Sequence, residues 1–148
     1  MKKFAAVLAV VSICFGVPAA FAAMDHHGHG SGAAHEEVVN GVKATFEVTS
    51  MAEHLKAMKM EMPKGMKETH HIAISFKDAK TGKAITQGDV KVKVQGPDKS
   101  EQIKDLMAME GHFGADFNMS KKGKYGVMAK FKLPDGKTRS AKFWYPVK

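Results

Sequence analysis

The sequence predicts an all-β fold, an immunoglobulin-like β-sandwich of about seven strands with one short helix inserted after the first strand. Three observations predict it. From Gly41 onward, apolar residues alternate with polar ones in short runs. Turn residues separate those runs at intervals of roughly 8–15 residues, as in sandwiches. Only one segment carries a helical period.

Taken in order, Val42, Ala44, Phe46 and Val48 alternate with Lys43, Thr45 and Glu47, the pattern of a half-buried strand. Ser50-Met51-Ala52-Glu53 then forms a capping box, which starts a helix by satisfying its first free N–H groups. Met51, Leu55, Met58 and Met62 follow on one helical stripe, and Pro63 and Gly65 end it. Ile72, Ile74 and Phe76 make the next strand, and the turn Asp78-Ala79-Lys80-Thr81-Gly82-Lys83 closes it. Val90, Val92 and Val94 form another strand, stopped by Gly96-Pro97-Asp98, and Leu106 to Met109 a short one before Gly111. Phe113, Ala115 and Phe117, then Tyr125 to Leu133, alternate in turn. Pro134-Asp135-Gly136 is a tight turn, and Ala141, Phe143, Tyr145 and Val147 finish the pattern.

The 148 residues make one domain, with 44% hydrophobic and 26% charged residues, enough for a packed core. Residues 1–22 read as a signal peptide: Lys2 and Lys3 precede an uncharged apolar run from Phe4 to Val17. Ala20-Phe21-Ala22 then supplies small residues for cleavage after Ala22. Residues 23–40 read as a flexible His-rich tail, and 41–148 as the sandwich. The product is therefore expected to be periplasmic or otherwise exported, with no integral membrane segment after cleavage. The only cysteine, Cys14, leaves with the signal peptide, which excludes disulfides, iron–sulfur clusters, c-type haem and blue-copper chemistry.

Lys and Arg together number 23 against 15 acidic residues, a formal charge of +8, yet the only arginine is Arg139. Nucleic-acid readers lean on arginine for bidentate contacts, so no nucleic-acid partner is expected. The lysines 91, 93, 121, 122, 124, 130 and 132 read as the solvated side of the strands. No G-x-S-x-G, H-E-x-x-H, P-loop or G-x-G-x-x-G motif occurs, so an enzyme is not expected and no catalytic residue is assigned.

What the composition does offer is 11 Met and 8 His. Met51, Met58, Met60, Met62 and Met66 crowd one stretch, in which His54 and Met58 are i, i+4 neighbours. His70 and His71 start a strand, where adjacent side chains face opposite sides, so only one of them can join a given site. Parity with Ile72 and Ile74 places His70 on the core-facing side, and His70 is the one taken into the candidate set. Met107, Met109 and His112 form a second group. Neutral thioether sulfur favours Cu(I), and imidazole accepts either oxidation state of copper. The candidate Cu(I) ligands are accordingly His54, Met58, His70, Met107, Met109 and His112, with Met60, Met62 and Met66 in reserve. His26, His27 and His29 in the tail suit Cu(II). Against this stands a plainer reading of Met51 and Met62 as the apolar face of a helix, since methionine fills irregular gaps.

Residues 70–147 resemble the small exported YtkA-like/FixH-like β-sandwich domains, themselves reminiscent of CopC-type copper carriers. The matching stretches are HHIAISFKDAKTGKAI, KKGKYGVMAKF and the terminal FWYPVK. The resemblance implies an exported sandwich linked with copper handling or oxidase assembly, and the insert 51–66 falls outside its usual pattern. Together these readings suggest a periplasmic metal-binding protein, a copper carrier or buffer. Its partners would be the ion and a membrane transporter or an oxidase-assembly protein. The alternative is a non-metal interaction module with a Met-rich docking face, and a third option is delivery of iron or zinc.

Overall fold

The computed structural model describes residues 32–148; the expected signal peptide and His26, His27 and His29 lie outside the described residues. Ten strands and one helix follow in order: β1 (Ala33–Val39), β2 (Val42–Ser50), α1 (Met51–Ala57), β3 (His70–Asp78), β4 (Ala84–Ile85) and β5 (Asp89–Gln95). Then come β6 (Glu101–Asp105), β7 (Met107–Met109), β8 (His112–Phe117), β9 (Gly123–Lys132) and β10 (Thr138–Val147). One sheet runs β1-β2-β3-β8-β7, with β4 also paired to β3, and the other runs β10-β9-β5-β6. Every pairing is antiparallel. The two sheets make the β-sandwich that the alternation predicts.

Alternation delivers the core. Ala44, Phe46, Ile72, Ile74, Phe76 and Phe113 point inward from the larger sheet and meet Val92, Val94, Val127 and Phe131 from the smaller. The Phe76 ring lies 4.5 Å from that of Phe131 and 5.7 Å from that of Phe113. Each of the valine, isoleucine and phenylalanine side chains contributes about 1.5–3 kcal/mol on leaving water, and no disulfide is needed. Among the described residues no helix is long and apolar enough to cross a membrane.

Three features depart from the sequence expectation. The stretch expected to be tail contributes β1, which pairs with β2 through a hairpin whose corner residues, Asn40 and Gly41, both have positive φ (45° and 79°). Asn-Gly suits that two-residue turn because both positions are left-handed. The helix starts where the capping box puts it, with Ser50 Oγ accepting from Glu53 N–H at 3.3 Å, but it ends at Ala57. Lys59, at φ 55°, donates from its N–H to Lys56 O, and the Met60 N–H donates to Leu55 O. That is a Schellman stop, so Met58 and Met62 lie beyond the helix. Finally, β6 is a strand of mostly polar residues at the rim of the smaller sheet.

Arg139 is buried. Its guanidinium donates twice to the Asp135 carboxylate, at 3.1 and 2.6 Å, and once to Asn40 O at 3.1 Å. It thereby ties the β9–β10 turn to the β1–β2 hairpin.

Candidate metal centre

Register decides which side chains share a face, because residues directly opposite in an antiparallel pair point the same way. On the outer side of the larger sheet, His71 stands opposite Asp116 and Thr49, and Ala73 stands opposite Gly114 and Glu47. Across the next pair, Gly114 faces Met107 and His112 faces Met109. One face therefore carries His71, Asp116, His112, Met107 and Met109. The β7–β8 connection that sets this register is a two-residue turn with Glu110 at φ 25° and Gly111 at φ 91°.

The helix supplies the last member. Met51 and Leu55, one turn apart, are buried beneath α1, and the Met51 N–H donates to Thr69 O at 2.7 Å, just ahead of β3. So anchored, α1 lays the His54 ring on that of His71, with centroids 4.4 Å apart and planes 9° from parallel. The His112 ring meets His71 edge-on at 6.4 Å. All three line one cleft of about 890 Å³.

His71 is the buried centre, only 5% exposed. Its Nδ1 lies 2.6 Å from Asp116 Oδ1, and its Nε2 is buried without a hydrogen-bond partner. The ring fits because residue 114 is glycine; a Cβ there would sit 2.7 Å from Nε2. Burial, then the neighbouring His71 and, more weakly, His112, hold the His54 imidazole below its ordinary pKa, against an opposing pull from Asp116. The neutral ring so favoured is the form that binds metals.

Among the described residues no three His, Cys, Asp or Glu side chains already converge on a common point. Ring geometry explains this for the stacked pair. Imidazole lone pairs lie in the ring plane, so two parallel rings cannot aim at one ion until His54 turns out of its stack.

The structure thus brings together His54, His112, Met107 and Met109 from the sequence-derived set. It places His70 elsewhere: parity does send that ring to the core side, where it lies 6.3 Å from Tyr145 and half-buried. The histidine that meets His54 and His112 is His71. Met60 and Met62 line a separate small cleft with Leu55, Met58 is exposed at the helix end, and Met66 is half-buried. His71, Asp116 and Gly114 were not singled out from sequence. A signal existed: His71 shares its parity with the small residues Ala73 and Ser75, which leave room for a ring on an otherwise bare face.

No family model and no curated protein matches the chain. Among solved structures, the chain is similar to a DUF4426 family protein from Pseudomonas aeruginosa PAO1, at TM-score 0.56 and 11% identity, over 76% of this chain and 93% of that one. It is also similar to a copper-bound methionine-to-isoleucine variant of Campylobacter jejuni P19, at TM-score 0.56 and 15% identity, over 78% of this chain and 95% of that one. These likenesses establish the β-sandwich fold.

Proposed function

We propose that this chain is an exported, non-enzymatic copper-binding protein, a carrier or buffer, with its site on the outer face of the larger sheet. One observation carries the reading. His54, His71 and His112 come from three elements to lie ring beside ring, on a face whose next strand presents Met107 and Met109. Imidazole with thioether sulfur and no thiolate suits copper, and sulfur need lose no proton to bind it. The copper held by the P19 variant, a sandwich of the same fold, supports copper as the ion. On this reading the cargo is Cu(I), exchanged with a membrane transporter or an oxidase-assembly protein. Met58, Met60, Met62 and Met66 serve as reserve ligands, and His26, His27 and His29 take Cu(II).

Cu(I) titration of the chain from residue 23, against a chromophoric chelator, tests this. One Cu(I) binds at sub-micromolar level, and His71→Ala combined with His112→Ala weakens it more than tenfold, a loss above ~1.4 kcal/mol. His70→Ala, on the opposite side of β3, leaves affinity unchanged. Equal affinity in the double variant removes the site. Absence of Cu(I) binding in the unaltered chain overturns the copper reading in favour of a docking face, which the 70% exposure of Met107 would then explain.

A further inference from the structure

His71 is fixed more tightly than a surface ligand needs to be, and its surroundings specify which of its nitrogens carries the proton. The Asp116 carboxylate sits 2.6 Å from Nδ1, directly across the β3–β8 ladder. A carboxylate accepts hydrogen bonds and donates none, so this contact calls for Nδ1–H. The opposite tautomer would set a Nδ1 lone pair against the carboxylate. It would also bury an Nε2–H that has no acceptor.

We infer that Asp116 is the positioning residue of the site: it fixes His71 as the Nδ1–H tautomer, so that the Nε2 lone pair stands ready as the first donor to a metal ion. The inference deepens the copper reading and, for the ion itself, rests on it. A carboxylate behind a ligating imidazole fixes ring orientation and raises the basicity of the donor nitrogen. The buried and unpartnered Nε2 is the atom such an arrangement would leave free. Gly114 completes it, since a side chain at that position would occupy the space of Nε2 and Cε1, at 2.7 and 2.8 Å from its Cβ. His54 and His112, without a carboxylate partner of this kind, are the ligands that adjust. His71 is the one already set.

The test reads the tautomer before any metal is added. In ¹⁵N-labelled metal-free protein at neutral pH, long-range ¹H–¹⁵N spectra show His71 protonated at Nδ1 and bare at Nε2. Asp116→Asn, whose amide can donate to Nδ1, shifts the population toward Nε2–H and weakens Cu(I) roughly 10–100-fold, the range for loss of an outer-shell partner. A packing role alone would lower stability without moving the tautomer. The inference is overturned if unaltered His71 carries its proton on Nε2, a result that requires no variant to fold. It is equally overturned if Asp116→Asn leaves both tautomer and affinity as they were. Should the unaltered protein show the expected tautomer yet bind no Cu(I), the positioning by Asp116 stands and the copper reading falls.

Discussion

On the outer face of the smaller sheet, Lys91 pairs with Asp105 and Lys93 with Glu101, while Lys142 lies over the exposed Trp144 ring. On the outer face of the larger sheet, an imidazole is buried, bonded to a carboxylate and covered by a second imidazole. Both faces come from the same period-two alternation. The first is ordinary solvated surface, where exposed ion pairs are each worth about 0–1 kcal/mol and specify little. The second differs because α1, inserted between β2 and β3, roofs part of it and takes a polar ring out of water. A buried polar group must find partners, so geometry becomes fixed there and remains loose on the other side. What separates plain surface from candidate site in this molecule is one short helix.

Phe131→Ala removes a fully buried ring from the core that both faces share and should cost about 3–5 kcal/mol. Denaturant midpoints should fall, and the Cu(I) affinity proposed above should fall with them only where the fold is lost.

Two glycines, one on each face, separate the two environments. Gly114→Ala drives a Cβ to 2.7 Å from the buried, bonded ring of His71, whereas Gly126→Ala meets the exposed ring of Trp144 at 3.2 Å. Trp144 can swing into solvent and His71 cannot. Gly114→Ala should therefore cost about 1–3 kcal/mol and perturb Cu(I) binding, as overpacking does. Gly126 is itself buried under the indole, so Gly126→Ala should cost less than Gly114→Ala only because that ring can give way. Similar thermal midpoints for the two variants would erase the distinction between the faces.

The smallest expected effect concerns acidity. Burial first, then His71, lowers the pKa of His54, and burial lowers that of His70, both from an ordinary 6.5. Below that value the unfolded chain takes up protons that the folded chain resists, so stability should decline as pH falls through 6.5 and on toward the lowered folded values. Denaturation midpoints at pH 7.5 and 5.5 measure the slope, and His54→Gln should flatten it in part. Among the described residues, the smaller sheet's outer face has no histidine to contribute.

Most of the sandwich was legible because inward positions are apolar at period two, as in Ile72-Ala73-Ile74-Ser75-Phe76. What escaped was polar. In β1 the chain reads His35-Glu36-Glu37, an edge strand with little to bury, and only Asn40-Gly41 betrayed the hairpin. In β6, Gln102 bonds the Asn118 backbone and Lys104 donates to Asp116 O, jobs that no hydrophobic pattern announces. The helix end was hidden because Lys59, a residue with no preference for left-handed backbone, makes the stop.

The chemistry of the candidate site was legible in type: histidine and methionine in two groups, without thiol. Its membership was less so. Choosing between His70 and His71 required knowing that α1 lies over the outer face, and Asp116 reaches His71 only through the β3–β8 register. That register joins residues 45 apart, across a stretch of chain that visits the other sheet. Local pattern carries no record of such pairings.

Arg139 has a reach beyond its own corner. Because β1 is the outermost strand, its departure would bare the hydrogen-bonding rim of β2, a template onto which a second molecule could add a strand. The guanidinium that latches the β1–β2 turn also holds the Asp135 carboxyl down to about 2. The latch thus keeps its charge in all but strongly acid media, and the corner where the β1–β2 and β9–β10 turns meet stays tied over that whole range.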